Sequence, residues 1–295
     1  MKIAIKICSP TPEHGGGDGP LARRLAHALE LRGHACRIDT RQDWYRCGDN
    51  ADAVIAIMGL AGYRPRPGQR SVLWVISHPE LRTPVELESY DAVCIASAPF
   101  CETVRRDVRV PCHTLPQCTD PDLFALQGVE PDIDILFVGN NYYTHQRYRK
   151  VVGDLLAGGG DFDFRVVGEG WRGVVDDHRI LAERVDYEQL PALYSRARIN
   201  LNDHHEMMRR HGFINNRAYD LAALGCFQIS DRVAGLDKLG IVSYSTPDEL
   251  RRLCQRYLAD ASERRRNAEI VRRLCVGETF GQRAEVLEKI LSGKF

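Results

Sequence analysis

The chain reads as an α/β protein made of two successive parallel-sheet domains, and three features of the sequence point that way. Short β-branched runs alternate with amphipathic stretches along the whole length, the pattern of strands joined by crossover helices. The strand runs are almost wholly apolar, as strands covered on both faces require. Midway, residues 116–132 (PQCTDPDLFALQGVEPD) carry three prolines and no clear periodicity, which suits a domain boundary. A length of 295 residues leaves room for two domains of ordinary size.

In the first half, strands are expected at residues 2–8, 35–39, 53–58, 72–76, 92–96 and 113–115. A helix is expected over 21–32, because Leu21, Leu25, Ala28 and Leu29 recur at helical spacing. Pro20 stands at its first position and Gly33 past its end. The first domain is expected over 1–118 and a linker over 119–132. A second series then begins, with a strand at 133–138, a helix at 146–156, a strand at 164–167 and a helix at 187–195. The next stretch, RARINLNDHHEMMRRHGFINNRAYDLAALGCFQISD, reads as a strand at 199–201 and a polar loop rich in His, Asn and Arg. A helix follows with Asn216 and Arg217 in its first turn; it carries Asp220, stops at Gly225 and leads into a strand at 226–230. The tail, 248–291, is mostly amphipathic helix. Its arginine clusters fall opposite Leu and Val and are best explained as a solvated face.

Composition excludes several classes. Lys+Arg and Asp+Glu are both 40, so no polybasic footprint points to nucleic acid or an anionic membrane. The ten cysteines contain no CxxC pair, which argues against a zinc site or a disulfide framework and for a reducing, cytoplasmic setting. The N-terminal MKIAIKICSP suits a first strand better than a signal peptide. No run approaches the ~20 apolar residues that cross a bilayer, so membrane contact is expected to be peripheral at most.

The chemistry concentrates at strand ends. A polar loop between strand and helix offers backbone N–H groups at the positive end of a helix dipole, which favours a phosphate, and an acid one turn further in suits a ribose hydroxyl pair. The stretch around Asn202, Asn215, Asn216, Arg217 and Asp220 therefore suggests a nucleoside diphosphate site. Gly15, Gly16, Gly17 and Gly19 follow the first strand, but their spacing is not GxGxxG; a flexible turn and a ligand loop fit equally well. His78 follows the strand in WVISHPE, at the end where open α/β sheets bind ligands, although a lone histidine is often structural. Gly139 and Asn140 end DILFVG, with Arg147 and Lys150 placed to neutralise a diphosphate or simply to face solvent. Gly168 and Glu169 end the next strand and suit a base pocket. His204, His205 and His211, with Asp203 and Glu206, lack the helical spacing of a metal site, so no metal is expected.

The order of these pieces resembles the GT-B glycosyltransferases, in particular the group-1, family 4-like enzymes and their spore-maturation CgeB-like relatives. The resemblance rests on the glycine loop with LARRLAHALELRGHACRI, on ISHPE and on LPQCTDPDLF. In the second half it rests on DILFVGN, FRVVGEGW, YEQLPALYSRARINLN and NNRAYDLAALGCFQISD. It implies two Rossmann-like domains facing across a cleft, with a donor-side domain at 133–275 and a C-terminal helix at 276–295 returning to the first domain. It also implies that Asp220 is the ribose-binding acid, with Asn216, Arg217 and Arg147 on the diphosphate. By the same resemblance His78 lies near the transferred sugar, and Gly16 and Gly17 lie under the phosphates. The chain departs from the family's E-x7-E pattern twice. Asp220 replaces the second Glu, and His211 or Gly212 stands where the first acid is expected.

The function implied is transfer of a sugar from a nucleoside diphosphate donor to an acceptor the sequence does not identify, without a cofactor or metal and with retention at the anomeric carbon. His78, Arg147 and Arg217 are the expected catalytic groups. A nucleotide-sugar epimerase of the same fold and a non-catalytic sugar-nucleotide-binding subunit are the alternatives. The second is motivated by the missing acid.

Overall fold

The computed structural model describes residues 1–10, 17–46, 50–141 and 149–294. Gly15, Gly16 and Arg147 lie outside the described residues. In chain order the strands are β1 (Lys2–Lys6), β2 (Ala35–Asp39), β3 (Ala53–Met58), β4 (Arg70–Val75), β5 (Ala92–Ile95) and β6 (Cys112–Thr114). They continue with β7 (Ile133–Val138), β8 (Phe164–Val167), β9 (Ile180–Ala182), β10 (Ala197–Asn202), β11 (Gln228–Asp231) and β12 (Val242–Tyr244). The helices are α1 (Asp18–Glu30), α2 (Pro84–Leu87), α3 (Ala98–Asp107), α4 (Lys150–Gly158) and α5 (Leu190–Ser195). They are followed by α6 (Glu206–His211), α7 (Asn216–Ala223), α8 (Pro247–Ala259), α9 (Ala261–Cys275) and α10 (Phe280–Leu291).

Two compact units result. Met1–Cys118, His205–Asn215 and Glu278–Phe295 make the first, and Thr119–His204 and Asn216–Gly277 the second. The first holds a six-stranded parallel sheet in the order β2-β1-β3-β4-β5-β6. Alternate residues of β1 go to opposite faces. Ile3 and Ile5 pack with Leu21, Leu25 and Leu29 of α1 and Leu287 and Leu291 of α10. Ala4 packs on the other side with Met58, Tyr63, Leu87 and Val104. Inside the sheet, the wholly buried Lys6 is neutralised by Asp39 at 2.6 Å and donates to the Trp44 carbonyl.

The second unit holds a parallel sheet in the order β12-β11-β10-β7-β8-β9. Ile135, Phe137, Ile199 and Ile229 meet α4 and α8 on one face, and Leu136 and Val167 meet Leu221, Leu224 and Phe124 on the other. Thr119 and Phe124, within the stretch read as linker, are buried in this unit. No helix among the described residues is long and apolar enough to cross a membrane.

Some boundaries differ from the sequence reading. α1 begins at Asp18, so Pro20 is its third residue; the Asp18 carboxylate accepts from the backbone N–H groups of Cys8 and Ser9 and fixes the first turn there. α4 is described from Lys150, and the stretch 187–195 splits into a 3-10 turn and α5. Strand β11 begins two residues later than expected, after Gly225 turns the chain with φ 65°.

The largest difference is the loop after β10, which contains a helix and a buried anchor. Glu206 in the first turn of α6 and Arg209 and Arg210 in its last complement the helix dipole, and Gly212 caps it in the left-handed conformation. Met208 and the wholly buried Phe213 join the core of the first unit, where Phe213 tilts against Phe100. Ser97 donates to the His211 carbonyl at 2.5 Å. Phe213→Ala is therefore expected to cost about 3–5 kcal/mol in denaturant unfolding, whereas a loop residue would cost well under 1 kcal/mol.

Candidate functional site

In the second unit the chain leaves β7 toward β8 and β9 on one side, then returns to place β10 on the other side of β7. The strand order reverses between β7 and β10. Their carboxyl ends form the crevice where open α/β sheets take ligands. Gly139 and Asn140 follow β7, Gly168 and Glu169 follow β8, and Asn202 ends β10 with Asp203 directly after it. Asn216 and Arg217 open α7. The sequence places these groups in separate segments, and the topology gathers them at one sheet edge.

The β7 and β8 ends touch backbone to backbone. A Cβ at Gly168, where φ is 135°, would stand 2.4 Å from the Gly139 carbonyl oxygen, so no larger residue fits there. The Asn140 side chain accepts from the Glu169 N–H at 2.9 Å, and the Trp171 indole donates to the Gly139 carbonyl at 2.9 Å. Glu169 itself is ion-paired with the exposed Arg184.

At the centre lies Asp203, whose side chain is 2% exposed. Arg149 meets it through two nitrogens, with Nε at 3.0 Å, and Arg217 approaches to 3.8 Å while donating to the Asn202 side chain at 3.0 Å. Both guanidinium groups sit over the Phe137 ring, at 5.3 and 5.1 Å from its centre. Burial alone would raise the Asp203 carboxyl, but Arg149, Arg217 and the neighbouring His204 outweigh it and hold the pKa below the usual carboxylate range. Two guanidinium groups gathered around one carboxylate at the start of α7 are an arrangement suited to a diphosphate.

Arg149 was not among the expected site residues; it stands beside Lys150 in QRYRK, and nothing in that string separates the two. The structure does separate them. Lys150 pairs with Asp154 and lies 5.6 Å from the centre of the Tyr244 ring. Gly17 precedes α1 in ordinary right-handed backbone, and Asn215 is half-buried just before α7.

Asp220 is 2% exposed and accepts from Thr119 Oγ1 at 2.7 Å and from Asn216 Nδ2 at 3.1 Å. Burial pushes its pKa up to about 8, against the opposing pull of Thr119, Asn216 and Arg217. A carboxyl that is neutral or easily neutralised can still pair with hydroxyl groups.

In the first unit His78 lies just past β4, and it is the one non-glycine residue with positive φ among the described residues (φ 51°). Such strain in a bulky residue gathers at functional sites. Its Nδ1 lies 2.9 Å from Ser77 Oγ and its ring 5.0 Å from that of His205. Burial, His205 and Arg82 lower its pKa to about 4, so the ring is neutral near pH 7. His204, His205 and His211 each find a separate partner. His204 bonds Asp231 at 2.7 Å, His205 meets His78, and His211 meets Glu80 at 3.1 Å.

Two measurements test this geometry. Arg149→Ala strips a buried carboxylate of its principal partner and is expected to cost about 3 kcal/mol; adding Asp203→Asn should recover part of the loss in a double-mutant cycle. Asp220, with its raised pKa, contributes stability that is full below pH 3.8 and is lost as pH rises toward about 8. Melting temperatures of Asp220→Asn should therefore vary less than wild type between pH 4 and pH 8, and exceed wild type at the upper end.

Solved structures share this architecture. A sucrose-phosphate synthase from Thermosynechococcus elongatus superposes with a TM-score of 0.76 at 16% identity, over 100% of both chains. T4 phage BGT, solved with its UDP-glucose substrate, gives 0.68 at 12% identity over 99% of each chain. Anabaena HepE, solved with UDP and glucose, gives 0.67 at 13% identity over 98% of this chain and 100% of its own. At these identities the likeness establishes a GT-B fold. No curated protein sequence matches the chain. The profile of the Glycosyl transferase-like family matches residues 132–289, more than half of the chain, and so the protein belongs to that family of glycosyltransferases.

Proposed function

We propose that the protein transfers a sugar from a nucleoside diphosphate donor to an acceptor hydroxyl, with the diphosphate bound at the β7–β10 edge of the second unit. The observation that carries this reading is the pair of guanidinium groups, Arg149 and Arg217, held over Phe137 by the buried Asp203 at the start of α7. In the reaction the acceptor oxygen bonds to the anomeric carbon, and the bond from that carbon to the diphosphate oxygen breaks. The nucleoside diphosphate leaves with the electron pair, and the hydroxyl proton passes to solvent or a base. Charge grows on the leaving oxygens, and fixed cations and helix amides stabilise it without reorganising. That chemistry supports a metal-independent transfer. The structures of relatives solved with UDP-glucose or with UDP and glucose support the donor class.

Asp220, one turn into α7, is proposed to hold the ribose hydroxyls, and Asn140 with Glu169 to border the base. For His78 the strained backbone and neutral ring support hydrogen bonding to the sugar rather than proton donation. The absence of an acid at His211 or Gly212 supports placement in the CgeB-like branch. Retention at the anomeric carbon is the outcome expected from the resemblance.

Thermal shift with UDP-, GDP-, ADP- and dTDP-sugars should reveal one donor that stabilises the protein and is hydrolysed slowly in the absence of acceptor. Arg217→Ala should weaken that donor at least tenfold with melting temperature nearly unchanged, and EDTA should leave turnover intact. No binding or turnover across the panel would sink the proposal, and a new epimer without acceptor would replace transfer by epimerisation. His78→Asn, which tolerates the left-handed backbone, should keep the fold and lower turnover at least tenfold; wild-type turnover should show no histidine break between pH 5.5 and pH 8.

A further inference from the structure

The first unit carries a cavity of about 1230 Å³ that the chemistry above does not use. It opens at the amino-terminal edge of the sheet, where Arg70 begins β4, Ala92 begins β5 and His113 lies in β6, and the end of α10 closes one side. Strand β4 alone, six residues at ~3.3 Å each, sets this edge roughly 20 Å from the end that bears His78.

Three arginines line it, Arg64, Arg66 and Arg70. Most arginines in this chain face a carboxylate, but none of these three does among the described residues. Arg66 donates to the Arg46 carbonyl at 2.8 Å and Arg70 to the Leu291 carbonyl at 3.1 Å, contacts that orient the groups without neutralising them. One acid lines the cavity: Asp91 accepts from the Ser71 N–H at 2.8 Å and lies 3.3 Å from the Ser71 hydroxyl. Among the described residues of the lining, two positive charges therefore remain uncompensated.

The wall also holds a flat apolar surface. Tyr45 is 54% exposed and stacks on the buried Tyr63 at 5.3 Å and 21°. Its hydroxyl accepts from the Arg64 N–H at 3.0 Å, which ties the ring to the arginine-bearing loop. Pro65 and Pro67 stiffen that loop. A fixed aromatic face beside fork-shaped cations matches a ligand with one apolar ring face and one anionic group. A single exposed ring and a neutral chain do not make the extended groove that tracks single-stranded nucleic acid.

We propose that this cavity is a second binding site, for a saccharide bearing a carboxylate or a phosphate, with the sugar face on Tyr45 and the anion on Arg64, Arg66 and Arg70. It lies at the opposite end of the first unit's sheet from His78 and holds its ligand away from that end.

Calorimetric titration tests this with hexagalacturonate and glucose 6-phosphate as the two anionic sources, and with inorganic phosphate, uncharged maltohexaose and a single-stranded DNA oligonucleotide as controls. Wild type should bind at least one anionic saccharide, more weakly as salt rises. Arg64→Gln/Arg66→Gln/Arg70→Gln should lose that binding at least tenfold, and Tyr45→Ala should weaken saccharide tenfold while leaving phosphate unchanged. Should the triple variant fold poorly, Arg64→Gln alone, at an exposed side chain, should weaken binding at least threefold at wild-type melting temperature. The donor response of the triple variant should match wild type. Equal binding by the variants, maltohexaose binding as tight as either anionic saccharide, tighter binding of the oligonucleotide, or loss of the donor response would each overturn the proposal.

Discussion

The ion cluster at Asp203 is the constraint around which the second unit is arranged. A carboxylate that is 2% exposed is tolerable only with cations at hand, and the sheet supplies two of them from different segments. Arg149 comes from the β7–α4 connection and Arg217 from the first turn of α7, and both meet the carboxylate at the end of β10 over the Phe137 ring at the end of β7. The anion keeps two guanidinium groups close together that would otherwise repel. Arg149 is the carboxylate's principal partner, through two nitrogens, whereas Arg217 stands off at 3.8 Å and bonds Asn202 instead.

The surrounding backbone serves the same end. Gly168 lets β8 close on β7 so that the Asn140 side chain can meet the Glu169 N–H, and Trp171 locks the turn through the Gly139 carbonyl. His204, directly after Asp203, is bound to Asp231 at the end of β11, which holds the loop down. Donors and cations held in place by such bonds are what the proposed departure of a diphosphate would call for.

Much of this could be read from the chain, and the omissions have physical causes. The β3 run is wholly apolar, and β1, β7 and β8 interrupt their apolar runs with only one or two charged residues each, a pattern that favours parallel strands covered by helices. The polar loop after β10 misled because HEMMRRHGF looks solvent-exposed by composition. Met208 and Phe213 are nonetheless buried in the first unit, and a single helical turn with one or two anchors has too short a period to announce itself. Asp220 and Arg217 stood out in the sequence as candidates because they lie in the first turns of a helix after a strand, and the structure places both in α7. Arg149 was not, because an ion pair with Asp203 spans 54 positions and no local pattern encodes it. The left-handed backbone of His78 is likewise invisible before folding, although its place after an apolar strand marked it.

The decisive point is whether a nucleoside diphosphate occupies the β7–β10 edge. Hydrogen exchange read by mass spectrometry, with saturating UDP, GDP, ADP or dTDP, addresses this directly. Slowed exchange is expected at residues 139–141 and 216–221 with at least one of the four, and no slowing there in Arg217→Ala at the same concentration. Unchanged exchange in both segments with every diphosphate, or protection confined to other segments, would contradict such binding.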